Sequence, residues 1–141
     1  MSKRTVAVRV SKEALKNIRK GHPWVFENSV VSMNRKAYPG DIGVVFDKKN
    51  RFAAVGLLDP FSMIRLRVLQ FEKPAKIDKN WFRKKIDRAL MKREKIINEN
   101  TDGYRLIYGE NDGFPGLIAD FYSKSVVVKI YSLSWMPYLD L

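Results

Sequence analysis

A chain of 141 residues that is 45% hydrophobic and 12% aromatic can bury the core of one ordinary domain or two small ones, and 30% charged residues do not force disorder. Its formal net charge of +12 attracts polyanions, nucleic acid first and an anionic membrane surface second. With no cysteine and a single histidine, His22, disulfides, thiolate nucleophiles, cysteine zinc sites and multi-histidine metal centres are excluded.

The first residues, Met1 to Thr5, lead into a strand pattern with no long apolar stretch, so no secretory leader is expected. Apolar runs stay far short of the ~20 residues of a membrane-spanning helix. The expectation is a soluble, cytoplasmic protein with no membrane partner.

Thr5–Val10 alternates, with Val6, Val8 and Val10 on one side and Ala7 and Arg9 on the other, as in a half-buried strand. Ser11 then caps a short helix with Ala14, Leu15 and Ile18 on one face. Gly21 closes it, preceded by Lys16, Arg19 and Lys20 at the negative end of the helix dipole. His22-Pro23-Trp24-Val25-Phe26 enters a second strand, and Tyr38-Pro39-Gly40-Asp41 is a turn. Gly43–Phe46 and Arg51–Leu58 are strands joined through Asp47-Lys48-Lys49-Asn50. Asp59-Pro60 breaks the chain before Ile64–Leu69, another alternating strand. Short strands and one small helix within about seventy residues predict a β-barrel or pseudo-barrel.

Lys73-Pro74 marks a boundary. Asp78 to about Asn98 reads as one long helix, with Phe82, Ile86, Ala89, Leu90, Arg93 and Ile97 at helical spacing and Lys84, Lys85, Arg88, Lys92 and Lys95 over the rest. Three strands follow, Tyr104–Tyr108, Gly116–Asp120 and Ser125–Tyr131, expected as antiparallel neighbours, with Gly109–Pro115 as a loop. The fold class is therefore α+β: a small pseudo-barrel, a long basic helix and a short antiparallel sheet. Ser134-Trp135-Met136-Pro137-Tyr138-Leu139 is too apolar for a comfortable terminus and reads as truncation.

The charge is uneven. Residues 1–72 hold 14 basic and 6 acidic side chains, residues 73–100 hold 10 and 4, and residues 101–141 hold 3 and 5. The polyanion-facing surface is expected within the first hundred residues, and packing from the last forty. Lys16, Arg19 and Lys20 converge beside the His22 loop and are the best-placed phosphate contacts. Arg65 and Arg67 share one strand face at about 7 Å, a spacing that suits successive phosphates or a solvated outer face. His22 reads as a nucleotide contact or a turn residue. It shares a face with Trp24, which offers a stacking platform but is favoured as core. The helix over 79–97 reads as an RNA contact, a charged solvent face or, least favoured, an amphipathic membrane-surface helix. Glu110 and Asp112 could form an acid/base pair or a magnesium site, but in a Gly/Pro-rich turn they are favoured as acceptors of local N–H bonds.

The motifs Gly21-His22-Pro23-Trp24-Val25-Phe26, Gly40-Asp41, Val55-Gly56-Leu57-Leu58-Asp59-Pro60, Ile64–Leu69 and the long block Tyr104–Asp120 together resemble the front of the large-subunit rRNA cytosine-C5 methyltransferase family. The resemblance implies a PUA-like RNA-binding domain over residues 1–72. It implies a central α+β segment over 73–141, leading into a methyltransferase domain missing from these residues. S-adenosylmethionine is the cofactor of that family, structured RNA such as rRNA its partner, and its members often pair as homodimers. No glycine follows Gly116 and there is no cysteine, so neither a glycine-containing cofactor loop nor a thiolate for C6 of cytosine is present. No catalytic, cofactor-binding or metal-binding residue is therefore expected in this chain. The competing readings are a stand-alone PUA-type RNA-binding module and a ribosome-assembly adaptor.

Overall fold

In the computed structural model, which describes residues 4–141, the alternation at the start of the chain becomes β1 (Thr5–Val10), with Val6 and Val8 fully buried. The leader reading of Met1–Lys3 lies outside the described residues. Ser11 caps α1 (Lys12–Arg19) as expected, its hydroxyl accepting the Ala14 N–H at 3.1 Å. Gly21, at φ +88°, turns the chain out of the helix while the His22 N–H reaches back to the Asn17 carbonyl at 3.0 Å. Ala14 and Ile18 face inward, and α1 packs against the sheet.

Five more strands complete this unit: β2 (Trp24–Phe26), β3 (Val30–Met33), β4 (Ile42–Phe46), β5 (Phe52–Leu58) and β6 (Ile64–Phe71). They form one curled mixed sheet in the order β2-β6-β5-β4-β1-β3, the pseudo-barrel that the short strands predict. Two features escape the sequence reading. β3 pairs antiparallel with β1, and β1 pairs in parallel with β4. The core gathers Val6, Val8, Ile18, Val25, Val45, Leu58, Leu66 and Val68. Gly56 sits at a bulge where β5 crosses close to β6; a Cβ there would lie 2.1 Å from the Arg67 carbonyl oxygen.

The apolar tail returns to this unit, which comprises Met1–Ala75 and Ser132–Asp140. A 3-10 helix, Leu133–Tyr138, packs on β5 and buries Trp135 and Tyr138. Its polar atoms are matched: Ser132 Oγ donates to Asp59 Oδ2 at 2.5 Å, and the Tyr138 hydroxyl donates to the Gly40 carbonyl at 2.7 Å. Burial, helped by the Asp41 carboxylate, pushes the Tyr138 phenol well up. Gly40 has φ +85°, and a Cβ there would meet Pro137 Cγ at 2.6 Å, so this glycine is required twice over.

The second unit, Lys76–Tyr131, holds α2 (Lys79–Met91) and the antiparallel sheet β7 (Gly103–Tyr108), β8 (Leu117–Tyr122) and β9 (Ser125–Ile130) in that order. α2 is shorter than the spacing over 78–98 predicts. The Arg93 guanidinium donates to the Ala89 carbonyl at 2.9 Å while its backbone N–H tightens onto Leu90 O at 2.8 Å, and turns replace the helix. Ile96 and Ile97 then stand 50% and 39% exposed, too open to water to hold another helical turn by burial. The Gly109–Gly116 segment docks against α2, its Phe114 ring 6.4 Å from Phe82.

Candidate nucleic-acid interface

α1 presents its basic residues to solvent. Lys12, Lys16 and Lys20 recur at a spacing of four and so line one flank of the helix, with Arg19 beside them; all four are exposed. The helix ends in the Gly21 turn, which carries the chain directly into β2. β2 is an edge strand with one partner, β6. Val25 takes its inward position at 1% exposure, so the strand alternation turns Trp24 and Phe26 outward, at 36% and 44% exposure. Trp24 is therefore not core, contrary to expectation.

His22, Trp24 and Phe26 form an aromatic ladder. Ring centroids are 6.0 Å apart for His22–Trp24 and 6.3 Å for Trp24–Phe26, both edge-to-face. The Trp24 N–H donates to His22 Nδ1 at 3.2 Å, which fixes the imidazole against the strand. His22 thus serves the turn and belongs to an exposed ring surface at once.

Arg65 and Arg67 are held differently. Arg67 is 5% exposed and donates to the Ile64 carbonyl at 3.0 Å and to Ser62 Oγ at 3.4 Å. Arg65 pairs with Glu27 and donates to the Pro60 carbonyl, leaving its side chain 15% exposed. Both guanidinium groups thus tie the 59–67 region together instead of standing out as a pair of phosphate contacts. Arg67 lies in register with Trp24 across the β2–β6 pair.

Asp47-Lys48-Lys49-Asn50, expected only as a connection, carries more than the sequence suggests. Asp47 is 5% exposed and gathers cations around itself. Its carboxylate accepts from Arg19 Nη2 at 3.0 Å, Arg51 Nε at 2.8 Å and the backbone N–H groups of Lys49 and Arg51 at 2.8 and 2.9 Å. The Arg9 guanidinium donates to the Asp47 carbonyl and to Asn50 Oδ1. The Arg51 N–H is the strongest influence on Asp47; with the Arg51 side chain and the Lys49 N–H it outweighs burial and holds the carboxyl at about 2. Asp47 is thus charged at any physiological pH and fixes the hairpin beside α1. The result is an open cleft of about 940 Å³ with Leu15 and Phe46 in its wall and Lys12, Lys48, Lys49 and Arg51 along its rim. An aspartate opening an Asx-type turn amid lysines and arginines was the signal available in the sequence.

Glu110 and Asp112 take the turn role favoured for them. Glu110 Oε1 accepts the Gly116 N–H at 3.2 Å. Asp112 accepts from Arg93 Nη2 at 2.6 Å, Lys92 Nζ at 3.0 Å and the Tyr108 N–H at 2.7 Å. Among the described residues no group of three or more His, Cys, Asp or Glu could hold a metal ion, and no helix is long and apolar enough to cross a membrane.

Residues 8–71 match the model of the PUA-like domain family. The chain is 47% identical over 137 residues to a ribosomal RNA large subunit methyltransferase of Deinococcus radiodurans, aligning 94% of this chain with 34% of that protein. It is 36% identical over 126 residues to the ribosomal RNA large subunit methyltransferase I of Alteromonas mediterranea, aligning 89% of this chain with 32% of that protein. A Streptococcus mutans structure assigned as a SAM-dependent methyltransferase superposes with a TM-score of 0.81 over 95% of this chain and 35% of its own, at 18% identity, and so shares the fold. A further structure, assigned as a methyltransferase and solved with SAH, also superposes with a TM-score of 0.81. Residues 8–71 are therefore a PUA-like domain, in a chain that is homologous to ribosomal RNA large subunit methyltransferases and spans about a third of their length.

Proposed function

We propose that this chain is the RNA-docking portion of a cytoplasmic, SAM-dependent methyltransferase that modifies C5 of a cytosine in large-subunit rRNA. The observation that carries the docking role is the convergence, on one PUA-like domain, of the α1 lysine flank, the Asp47-centred cationic cleft and the exposed His22–Trp24–Phe26 ladder. Cations at fixed spacing hold successive phosphates, and exposed rings hold an unstacked base. Recognition on this surface works by RNA shape and backbone, because lysine flanks carry little base-edge information.

The residues present do not fit S-adenosylmethionine. In the glycine-containing segment 109–116 the buried Asp112 carboxylate is taken up by Arg93 and the Tyr108 N–H, Glu110 accepts the Gly116 N–H, and the strands flanking the segment are antiparallel. A glycine loop that cradles a nucleotide instead opens from a parallel strand onto a helix N-terminus. No chemical step is therefore assigned to these residues.

The test is binding to structured large-subunit rRNA fragments across a salt series. The wild-type chain is expected to show a linear fall of log affinity with log salt. The triple substitution Lys16→Glu, Lys20→Glu and Lys48→Glu leaves the Asp47 node intact and is expected to weaken binding at least tenfold. The salt slope should flatten by about one unit for each phosphate that is no longer gripped. Affinity and slope that match wild type would remove this surface from the docking role.

A further inference from the structure

The exposed face of the second sheet carries a row of aromatic and cationic side chains that the docking surface does not include. A bulge between Arg105 and Ile107 brings Tyr108 onto it. In a regular strand, residues three apart point to opposite faces. The bulge instead places Arg105 opposite Asp120 and Tyr108 opposite Ile118, so both stand on one face while Ile107 and Ala119 are buried on the other. The Arg105 guanidinium lies 5.1 Å from the Tyr108 ring centroid, and Lys129 lies 4.9 Å from that of Tyr131. Tyr122 shares this face at the far end of β8, next to Lys124 in the turn.

Three tyrosines are half exposed along this face, Tyr108 at 50%, Tyr122 at 55% and Tyr131 at 56%. From Tyr131 to Tyr122 the register spans three steps of two residues, about 20 Å. The single acid in the row, Asp120, is neutralised by Arg105 through bonds of 2.7 and 3.1 Å, and that bond, with the guanidinium charge, lowers its pKa. All three cations of residues 101–141, Arg105, Lys124 and Lys129, lie on this face or its turn, in a stretch whose net charge is negative. Segment-wide charge conceals a local positive surface.

We propose that this face is a second RNA contact, a stacking platform for a short unpaired stretch of RNA, with Tyr108, Tyr122 and Tyr131 taking bases, Lys124 and Lys129 taking phosphates, and Arg105 held by Asp120 against the Tyr108 ring. Exposed rings on an open sheet suit unstacked bases, and flanking cations suit the backbone between them. This inference rests on the reading of the chain as RNA-binding, and it assigns unpaired RNA to the platform as distinct from the structured RNA of the PUA-like domain.

The test uses the full chain and a short, unstructured oligoribonucleotide of mixed sequence. Tyr108→Ala and Tyr122→Ala are each expected to weaken its binding about fivefold or more, with the salt slope unchanged because the charge stays the same. Tyr108→Phe and Tyr122→Phe are expected to bind like wild type, since a phenyl ring stacks as a phenol does. Structured rRNA fragments and the Lys16/Lys20/Lys48 variant supply the comparison. If the lysine variant alone loses binding and the alanine variants hold the oligonucleotide as tightly as wild type, the platform is wrong and the docking surface stands. If the alanine variants lose the oligonucleotide while the lysine variant keeps structured RNA, the platform stands and the docking surface falls. Alanine variants that bind RNA normally but lose self-association would mark the face as a protein interface and overturn the proposal.

Discussion

Asp112→Ala is expected to destabilise the second unit by about 3 kcal/mol, the low end of the cost of breaking a buried ion pair. The Asp112 side chain is 2% exposed and receives Arg93, itself 13% exposed, and Lys92, at 58%. Removing the carboxylate leaves the Arg93 guanidinium with the Ala89 and Arg105 carbonyls but no counter-charge and orphans the Tyr108 N–H, while Lys92 rehydrates, which keeps the loss at that low end. The readout is amide exchange. Ile107 and Ala119 are expected to exchange on the order of a hundredfold faster, with Val6 and Leu66 in the PUA-like unit unchanged. Equal protection of Ile107 and Ala119 in variant and wild type would show that the node does not hold the unit together. A pH dependence goes with it. Burial works to raise the Asp112 carboxyl, but Arg93, the Tyr108 N–H and Lys92 outweigh it and hold the group below the usual carboxylate range. A carboxyl depressed in the folded state contributes fully above the ordinary value of about 4 and loses that contribution as pH falls through the lowered one. Wild-type protection of the second unit is thus expected to decline with acid below about pH 4, and Asp112→Ala to show a flatter profile there.

The sequence makes this fold legible wherever one local signal decides the outcome. Ser11, Gly21 and the Val6/Val8 alternation need only their own neighbours, and each forms as read. Partnership at long range is less visible. The parallel pairing of β1 with β4 depends on how the sheet curls, and neither strand carries a pattern distinguishing a parallel from an antiparallel neighbour. The α2 boundary depends on an Arg93 side chain that meets Asp112, nineteen positions away. The candidate interface divides along the same line. Lys16, Arg19 and Lys20 are exposed because a short amphipathic helix leaves them nowhere else to go. Arg65 and Arg67 have an equally suitable spacing but are captured by Glu27, Pro60, Ile64 and Ser62. Trp24 inverts the usual preference of a large ring because Val25 occupies the inward position of an edge strand. The Asp47 cleft draws on β1, α1 and the β4–β5 hairpin, so no single window of sequence contains it.

Trp135→Ala is the other large effect, an expected loss of about 3 kcal/mol or more, as for deletion of a buried indole. Trp135 is 2% exposed and meets Tyr138 edge-to-face, with centroids 6.4 Å apart, in the 3-10 helix that returns to β5. The tail binds the PUA-like unit at two points, Asp59 through Ser132 and Gly40 through Tyr138, and both hydrogen bonds join residues more than seventy positions apart. Losing the indole leaves them without the packing that keeps water off them, so the whole segment 132–140 is expected to detach as one piece. Limited proteolysis measures this directly: cleavage between residues 132 and 140 should accelerate on the order of a hundredfold, while the 5–71 sheet stays resistant. Gly40→Ala is an independent route to the same state, because its Cβ would collide with Pro137 at 2.6 Å without touching Trp135. If Trp135→Ala left the tail as protected as wild type, the apolar stretch would not owe its place to burial. The Gly40-Asp41 and Asp59 positions would then need a different explanation from the latch that the hydrogen bonds describe.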